Sequence, residues 1–245
     1  MKYFLIAGIS LLFIACSKDN SSNSSGTQTL KDSTCQLVSV KWVQGTDSLI
    51  TNLSYNSNGQ LAKTDEGNGN VNTFTYSGSQ IFMTSNDYSN YRDTTTINKF
   101  GYVAQLIVNS NPLILNSSYF YTSDTVLSYV IINSPLFSNP DTTRYIFTDG
   151  DLTSYIAGAN TYNYTYYTDK PEQSADLSIY NQIVSQGALS YKNKHLTKSY
   201  SGNSLSQDYT YSFDAAGKII SMAAHYVNSQ SSGTIIYYYT YTCHL

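Results

Sequence analysis

The sequence predicts an all-β protein, an antiparallel meander of repeated hairpins whose sheet curls on itself. Tyrosine occurs 25 times in the 245 residues, whereas only 12% of the residues are charged, and this mixture favours pleated strands over helices. Short aromatic alternations recur along the chain, each followed by a turn that contains Asp, Asn, Ser or Gly, at intervals typical of repeat proteins. The connections are too short for parallel crossovers, which need roughly a dozen residues or more.

Residues 1–15 have the layout of an export signal. Lys2 gives a short positive region, residues 3–15 are apolar, and Cys16 follows directly. This run is shorter than the roughly 20 residues that a membrane-spanning helix needs. The segment 12–16, Leu-Phe-Ile-Ala-Cys, resembles a bacterial lipobox, which implies cleavage before Cys16 and lipid attachment to its thiol and new amino group. An ordinary secretory signal with an incidental cysteine is the alternative.

Residues 16–34 are predicted to form a flexible tether that carries the lipidated Cys16. They are rich in Ser, Asn, Gly and Thr and have no apolar periodicity, and such a chain spans about 20 Å on average. Residues 17–20, Ser-Lys-Asp-Asn, resemble the start of Bacteroidota surface lipoproteins, although such export signals often carry two or more acidic residues. We therefore expect an outer-membrane lipoprotein that faces the cell surface or the periplasm.

Residues 35–245 are predicted to be one all-β repeat domain. The clearest repeat, residues 209–222, has an alternating aromatic strand, a turn at 214–217 and an apolar return strand. Asp214 at the start of the turn can bond the backbone that follows it, and Gly217 can take a positive φ. Asp149-Gly150 fits a two-residue type I′ turn. Further repeats are expected at residues 53–61, 74–83, 97–108, 119–127, 145–152, 162–171 and 189–196.

The last predicted strand indicates which face of the sheet is buried. Alternation places Tyr237, Tyr239 and Tyr241 on one face and mostly hydroxyl side chains on the other. No amphipathic helix is evident to cover the aromatic face, so the meander has to close into a barrel or fold as a sandwich, and we favour strong curvature with the aromatic face inside. The three tyrosines are also a candidate aromatic binding platform. Packing in the interior is the alternative, favoured by the shortage of Leu and Val.

The repeat unit resembles tyrosine-aspartate (YD) repeats. It reads aromatic-x-aromatic, a turn with Asp or Asn and Gly, and then Lys, Arg or Gln before Ile or Leu, most clearly at residues 209–220 and 55–61. With the lipoprotein signal, the chain is similar to Bacteroidota lipoproteins that carry a domain of unknown function with a porin-like fold. The resemblance covers residues 36–243 and implies a single-layer antiparallel sheet, closed or nearly closed into a barrel. It brings no catalytic residues.

An integral outer-membrane barrel is a further interpretation. Such barrels present an apolar band to lipid, with aromatic side chains concentrated in two girdles. Here tyrosine is spread along the strands beside Ser and Thr. We therefore expect a barrel that is attached to the membrane only through its lipid.

Two cysteines mark the ends of the predicted sheet. Cys35 begins the first strand and Cys243 ends the last, in a chain exported to an oxidising compartment. If these strands are neighbours in a closed sheet, their Cα atoms come within about 7 Å and a disulfide can form. Two free thiols at frayed strand ends are the alternative.

The sequence predicts no catalytic residue, cofactor or metal. The three histidines, His195, His225 and His244, lack the spacing of metal ligands, and no G-x-S-x-G, P-loop or H-E-x-x-H motif is present. A net charge of −3 without a basic block argues against nucleic-acid binding. Glu66 and Glu172 are interpreted as solvated loop residues, whereas glycosidases need two placed carboxyls.

These observations favour a noncatalytic envelope protein that binds a glycan or peptide or acts as a scaffold. A surface glycan-processing hydrolase is the alternative. Functional residues are expected where the repeat is broken, at 97–108, 133–143 and 169–186. Asp-Ser-Leu, Asp-Thr-Thr and Asp-Thr-Val resemble Bacteroidota O-glycosylation sites, which makes Ser48, Thr94, Thr125 and Thr142 candidate acceptors.

Overall fold

A computed structural model describes residues 31–32, 35–87, 91–110, 113–136 and 138–243. The predicted export signal, the lipid-attachment residue Cys16 and most of the tether lie outside the described residues. The described chain contains one α-helix, α1 (Leu177–Gln186), and 17 strands. The strands are β1 (Lys31–Asp32), β2 (Cys35–Gln44), β3 (Asp47–Tyr55), β4 (Leu61–Glu66), β5 (Val71–Ser77), β6 (Gln80–Ser85), β7 (Arg92–Ile97), β8 (Val103–Ser110), β9 (Leu113–Ser123), β10 (Val126–Asn133), β11 (Asp141–Thr148), β12 (Asp151–Ala157), β13 (Asn160–Pro171), β14 (His195–Gly202), β15 (Leu205–Phe213), β16 (Ile219–Asn228) and β17 (Ser232–Cys243).

The strands form one closed barrel. From β2 to β17 each strand pairs antiparallel with the next, and β17 pairs with β2 to complete the ring. β1 adds a two-residue pairing at the start of β2. The predicted antiparallel meander, curled into a single-layer barrel, is confirmed.

The barrel has two distinct ends. The terminal end holds the first residue of β2 and the last residue of β17, together with the turns at 56–60, 98–102 and 214–218 and the long connection of residues 172–194. The distal end holds the connections at 67–70, 86–91 and 134–140. Cys35 and Cys243 pair across β2 and β17 at the terminal end and form a disulfide, with Cα atoms 3.9 Å apart.

Three turns at the terminal end share one hydrogen-bond pattern. Each begins with Asn or Asp, whose side-chain oxygen accepts from the backbone N–H groups two and four residues later. The glycine in fourth position has a positive φ and donates its N–H to the first residue's carbonyl. The turn chemistry predicted for Asp214 and Gly217 is confirmed, and it recurs at Asn56 and Asn98.

A β-bulge near the terminal end of the even-numbered strands explains why the repeat uses tyrosine. A bulge leaves a backbone carbonyl outside the regular ladder, where it needs another partner. In six hairpins the carbonyl just before the bulge accepts a hydrogen bond from a tyrosine hydroxyl on a neighbouring strand. The pairs are Tyr55 with Leu37, Tyr76 with Leu61, Tyr121 with Val103, Tyr166 with Leu152, Tyr211 with Thr197, and Tyr241 with Ile219.

The barrel interior is filled by residues 172–194, which we call the plug. Asp176 caps α1, which buries Ile179, Tyr180 and Ile183 against the inner faces of the strands. The returning chain follows β8, where the Leu189 carbonyl accepts the backbone N–H of Val103 at 2.8 Å. Two predictions from the sequence are wrong: an amphipathic helix does cover the aromatic face, and residues 189–196 do not form a hairpin of the repeat.

Candidate functional site

A cavity of about 330 Å³ opens at the distal end of the barrel. Its outer wall comes from the inner faces of β3, β4, β5 and β6, and its inner wall comes from α1, which presents Tyr180, Val184 and Ser185. The cavity exists because the plug enters from the terminal end and leaves space near the distal rim. Most lining residues are polar: Thr51, Thr64, Glu66, Asn70, Asn72, Ser85, Asp87 and the hydroxyls of Tyr91 and Tyr180.

Glu66 is held in place by the turn that follows β4. The side-chain amides of Asn68 and Asn70 both donate to Glu66 Oε2, at 3.2 and 3.3 Å. Asn68 in turn accepts the backbone N–H of Asn70. Glu66 is half-buried and lies at the end of a strand, so interpreting it as a solvated loop residue was wrong.

Asp93 places a second carboxyl beside the cavity. It pairs across the sheet with Met83, which lines the cavity, and only 3% of its surface is exposed. The Tyr91 hydroxyl donates to Asp93 Oδ2 at 2.9 Å. Burial raises the pKa of Asp93 to about 6, and the hydrogen bond from Tyr91 offsets only part of that effect. Above pH 6 the wall of the cavity therefore carries a buried negative charge.

Tyr180 links the plug to the barrel wall at the cavity. Burial raises the pKa of its hydroxyl to about 12, and a hydrogen bond with Thr51 acts in the opposite direction. The phenol therefore stays neutral and can both donate and accept hydrogen bonds at neutral pH. Together with Tyr91 it gives the cavity two aromatic rings that carry polar tips.

A second group of carboxyls lies at the neck of the plug, near the terminal end. Asp151 accepts the backbone N–H groups of Lys194 and His195, and its Oδ2 lies 2.7 Å from His195 Nδ1. Asp176 is 1% exposed and accepts from Ser178, Thr197 and Tyr211. These bonds fasten both ends of the plug to the barrel.

Glu172 belongs to the same group, and its interpretation as a solvated residue was wrong. Both carboxyl oxygens are buried and lack a hydrogen-bond partner among the described residues. Burial raises the pKa of Glu172 well above its ordinary value, the charges of Asp176 and Asp151 raise it further, and Lys192 opposes them. Sequence reasoning missed this group because only the return of the plug brings residues 151, 172 and 176 together.

The stripe of Tyr237, Tyr239 and Tyr241 faces the barrel interior rather than the cavity. Tyr239 is buried in the core, and the Tyr241 hydroxyl donates to the Ile219 carbonyl. Tyr237 is half-buried and packs against the same core. This placement fits the interior-packing alternative and leaves Tyr239 without an open face for a ligand.

The candidate glycosylation residues lie along the outside of the barrel. Ser48, Thr125 and Thr142 are exposed, whereas Thr94 is half-buried and follows the buried Asp93. Their modification stays a prediction. In the described ranges no group of three or more His, Cys, Asp or Glu side chains is arranged to hold a metal ion. Across the same ranges no helix is both long and apolar enough to cross a membrane.

The fold is similar to that of two solved structures. No protein-family model matches the sequence, and no curated protein matches it. A porin-like protein from Bacteroides uniformis has a TM-score of 0.67 at 17% identity, over 89% of this chain and 100% of that chain. A porin-like protein from Bacteroides vulgatus has a TM-score of 0.57 at 16% identity, over 84% and 98%. These similarities confirm the porin-like fold that the resemblance implied: the chain folds into a β-barrel like those of the two proteins.

Proposed function

We propose that this protein is a lipid-anchored component of the cell envelope that binds a small glycan in the distal cavity without converting it. The observation that carries the proposal is that the barrel is filled by its own plug yet keeps a polar, tyrosine-bearing cavity at one end. Its volume of about 330 Å³ falls at the lower end of the range for small-molecule sites, roughly 300–1,000 Å³.

The lining chemistry suits a saccharide. Sugars present hydroxyl groups that both donate and accept hydrogen bonds, and the cavity offers hydroxyls, amides and carboxyls of both kinds. Sugar rings also present C–H faces that pack on aromatic rings, and Tyr91 and Tyr180 supply such rings. A peptide is the other ligand that the sequence analysis considered, but no strand edge is open for a peptide backbone, because β2–β17 form a closed ring.

Attachment through Cys16 would leave the distal cavity accessible. The described chain begins at Lys31, beside the terminal end, so a lipid on Cys16 would hold that end toward the membrane. The distal cavity would then face away from the bilayer. The lipobox-like segment supports this attachment, and the YD-like repeat, whose bulge and tyrosine bond recur in six hairpins, supports a relation to Bacteroidota envelope lipoproteins.

The outer face of the barrel argues against a spanning role. Lys41, Arg144 and Asp208 lie in the middle of β2, β11 and β15 with exposed side chains. On the neighbouring strands, Ile50 and Tyr238 pair with Lys41, and His225 pairs with Asp208. These three side chains are also exposed. A lysine or arginine facing lipid at the bilayer centre costs about 2–4 kcal/mol. We therefore propose a barrel outside the bilayer.

A glycan hydrolase is the second candidate, because Glu66 and Asp87 line the same cavity. Glycosidases need one carboxyl that stays protonated near neutral pH and sits against the scissile bond. The carboxyl whose pKa is raised to about 6, Asp93, is buried beside the cavity under the Tyr91 hydroxyl. This arrangement favours binding over hydrolysis.

Glycan binding is tested on the full chain, purified in mild detergent, with a glycan array followed by calorimetric titration. We expect binding that Tyr91→Ala weakens at least about tenfold, since the substitution removes an aromatic face. Tyr129→Ala serves as the control, because Tyr129 pairs with Arg144 on the outer face, and this variant should bind as wild type does. Absence of binding across the array would refute the proposal, and release of a shortened glycan would favour the hydrolase.

The lipid anchor is tested separately in cells. Growth with radioactive palmitate should label the wild-type protein and leave Cys16→Ala unlabelled. An unlabelled wild-type protein would end the lipoprotein proposal without affecting the glycan proposal.

A further inference from the structure

We infer that the distal cavity selects a glycan that carries a free ammonium group, an amino sugar that is not N-acylated. The inference rests on the proposed glycan binding and adds the charge of the ligand. Glu66 and Asp87 line the cavity and Asp93 lies beside it. Among the described residues that line the cavity, none carries a positive charge.

The nearby cations in the sequence are turned away from the cavity. Lys63 Nζ lies 2.7 Å from Asp65 Oδ2, and the two side chains are 42% and 41% exposed. The Arg92 guanidinium lies 4.8 Å from the centre of the Phe82 ring, on the face of the sheet opposite Asp93 and Met83. The negative charges at the cavity are therefore not neutralised by side chains of the described chain.

The Glu66 carboxyl also has acceptor capacity that the fold leaves unused. The two amides that hold Glu66 both donate to Oε2, so Oε1 is left to accept from a ligand. Asp93 lies buried beside the cavity rather than in its lining, so its charge acts on a bound ligand through space and not through a direct hydrogen bond.

An ammonium group on a sugar fits this arrangement better than a metal ion or a simple cation. The described chain offers no cluster of ligands for a metal. An ammonium group has three donors and a single charge, which match carboxylate acceptors at separate positions. Thr51, Asn72 and Ser85 line the cavity and have bonding capacity for ligand hydroxyls beyond their bonds to Tyr180, Thr64 and the Asp87 backbone. Tyr91 and Tyr180 can stack against a ring or a cation.

The test compares two saccharides of equal length, the β-1,4-linked disaccharide of glucosamine and its fully N-acetylated counterpart. Calorimetric titration of the full chain at pH 7 should give a dissociation constant about tenfold lower for the amino form, as a charge-assisted hydrogen bond predicts. Added salt should weaken only the amino form.

Variants identify the residues responsible. Glu66→Gln keeps the side-chain shape and should reduce the preference for the amino form to about threefold or less. Asp87→Asn, at an exposed position, provides a second variant in case Glu66→Gln folds poorly. Asp208→Asn removes an outer-face charge and should leave the preference unchanged.

Each outcome decides between the two proposals. Equal or tighter binding of the N-acetylated form overturns the inference and leaves glycan binding intact. Binding of neither form, with no other glycan bound on the array, overturns the proposed function itself. Tri-lysine that binds more tightly than the amino disaccharide overturns the choice of a saccharide.

Discussion

The two ends of the barrel each gather three carboxyls, yet they use them differently. At the terminal end, backbone N–H groups and hydroxyls of the protein occupy Asp151 and Asp176, while both oxygens of Glu172 are buried without a partner among the described residues. At the distal end, Glu66 and Asp87 face a cavity, and Asp93 lies buried beside it. Acceptors that the fold satisfies hold structure together, whereas acceptors left open to a cavity are available to a ligand.

The same comparison separates two roles of tyrosine. Tyrosines near the terminal end donate to bulge carbonyls and so complete the backbone hydrogen bonding of the repeat. Tyr91 and Tyr180 at the distal cavity bond side chains, Asp93 and Thr51, and still line an open space. Aromatic content alone therefore does not mark a binding site in this chain.

Removing the cap of the plug should give the largest difference between the two ends. Asp176→Ala deletes the α1 N-cap and the acceptor for Thr197 and Tyr211, so we expect a loss of about 3 kcal/mol in the free energy of unfolding. Asp87→Ala, at the exposed distal rim, should cost less than about 0.5 kcal/mol. Urea unfolding measures both values. Equal stability of the two variants would mean that Asp176 does not fasten the plug.

Closing the space behind α1 should have the next largest effect. Gly187 ends the helix at φ 70°, and an added Cβ would lie 2.8 Å from Ile81 Cγ2. Gly187→Ala should therefore cost about 2 kcal/mol and, by shifting α1, weaken ligand binding at the distal cavity. Gly45→Ala, at φ 60° in open space, is the matched control and should cost about 1 kcal/mol without affecting binding.

Local chemistry explains what the sequence predicted correctly. The turn at Asp214 and Gly217 depends on residues within the turn itself, so its geometry can be read from the sequence. The alternation of tyrosine with hydroxyl residues likewise identified the inward face. Because most connections are short and one face is aromatic, closure of the meander follows from the need to bury that face.

The sequence did not reveal the plug because part of it has the same alternation of apolar and polar residues as the strands of the repeat. Leu189 and Tyr191 alternate like a strand, but they run along the inner faces of β8 and β11 rather than in a hairpin. The helix before them has only 10 residues, too short for its period to stand out against the aromatic alternation. Glu172 was misinterpreted for a related reason, since its surroundings include Asp151 and Lys192, which are distant along the chain. Glu66 was misinterpreted because its strand continues to the residue itself, where the amides of Asn68 and Asn70 hold the carboxyl.

Among the tyrosines, Tyr121 should show the clearest structural role. Its hydroxyl lies 2.6 Å from the Val103 carbonyl at the bulge and 2.8 Å from the Ser190 carbonyl in the plug, and its single proton is shared between these two acceptors. Tyr121→Phe leaves both buried acceptors without this donor, and we expect a loss of about 1.5 kcal/mol. Tyr238→Phe on the outer face should change stability by less than about 0.5 kcal/mol. Thermal and urea unfolding that show no difference between them would contradict the role of the tyrosine bond.

Glu172 should make the stability of the plug depend on pH. Because burial raises its pKa in the folded state, the folded chain binds more protons than the unfolded chain as the pH rises above about 4.5. Stability should therefore fall with rising pH from that point, and Asp176, whose pKa is also raised by burial, acts in the same direction. Glu172→Gln should flatten this decline and gain about 1 kcal/mol at pH 8. Urea unfolding from pH 4.5 to 8 measures it, and an unchanged slope would contradict the assignment.

The smallest effect should come from the hydroxyl that tunes Asp93 at the distal cavity. The hydrogen bond from Tyr91 lowers the pKa of Asp93, whereas burial raises it. Tyr91→Phe removes that hydrogen bond, so the pKa should rise above its present value of about 6. Less of the carboxyl is then ionised at pH 7, and the amino disaccharide should bind the variant more weakly than it binds the wild-type protein at that pH. Carbon-13 NMR titration of the Asp93 carboxyl measures the pKa directly, with Tyr129→Phe as the outer-face control. If the pKa stays the same while binding falls, Tyr91 acts on the ligand through its own hydroxyl rather than through Asp93.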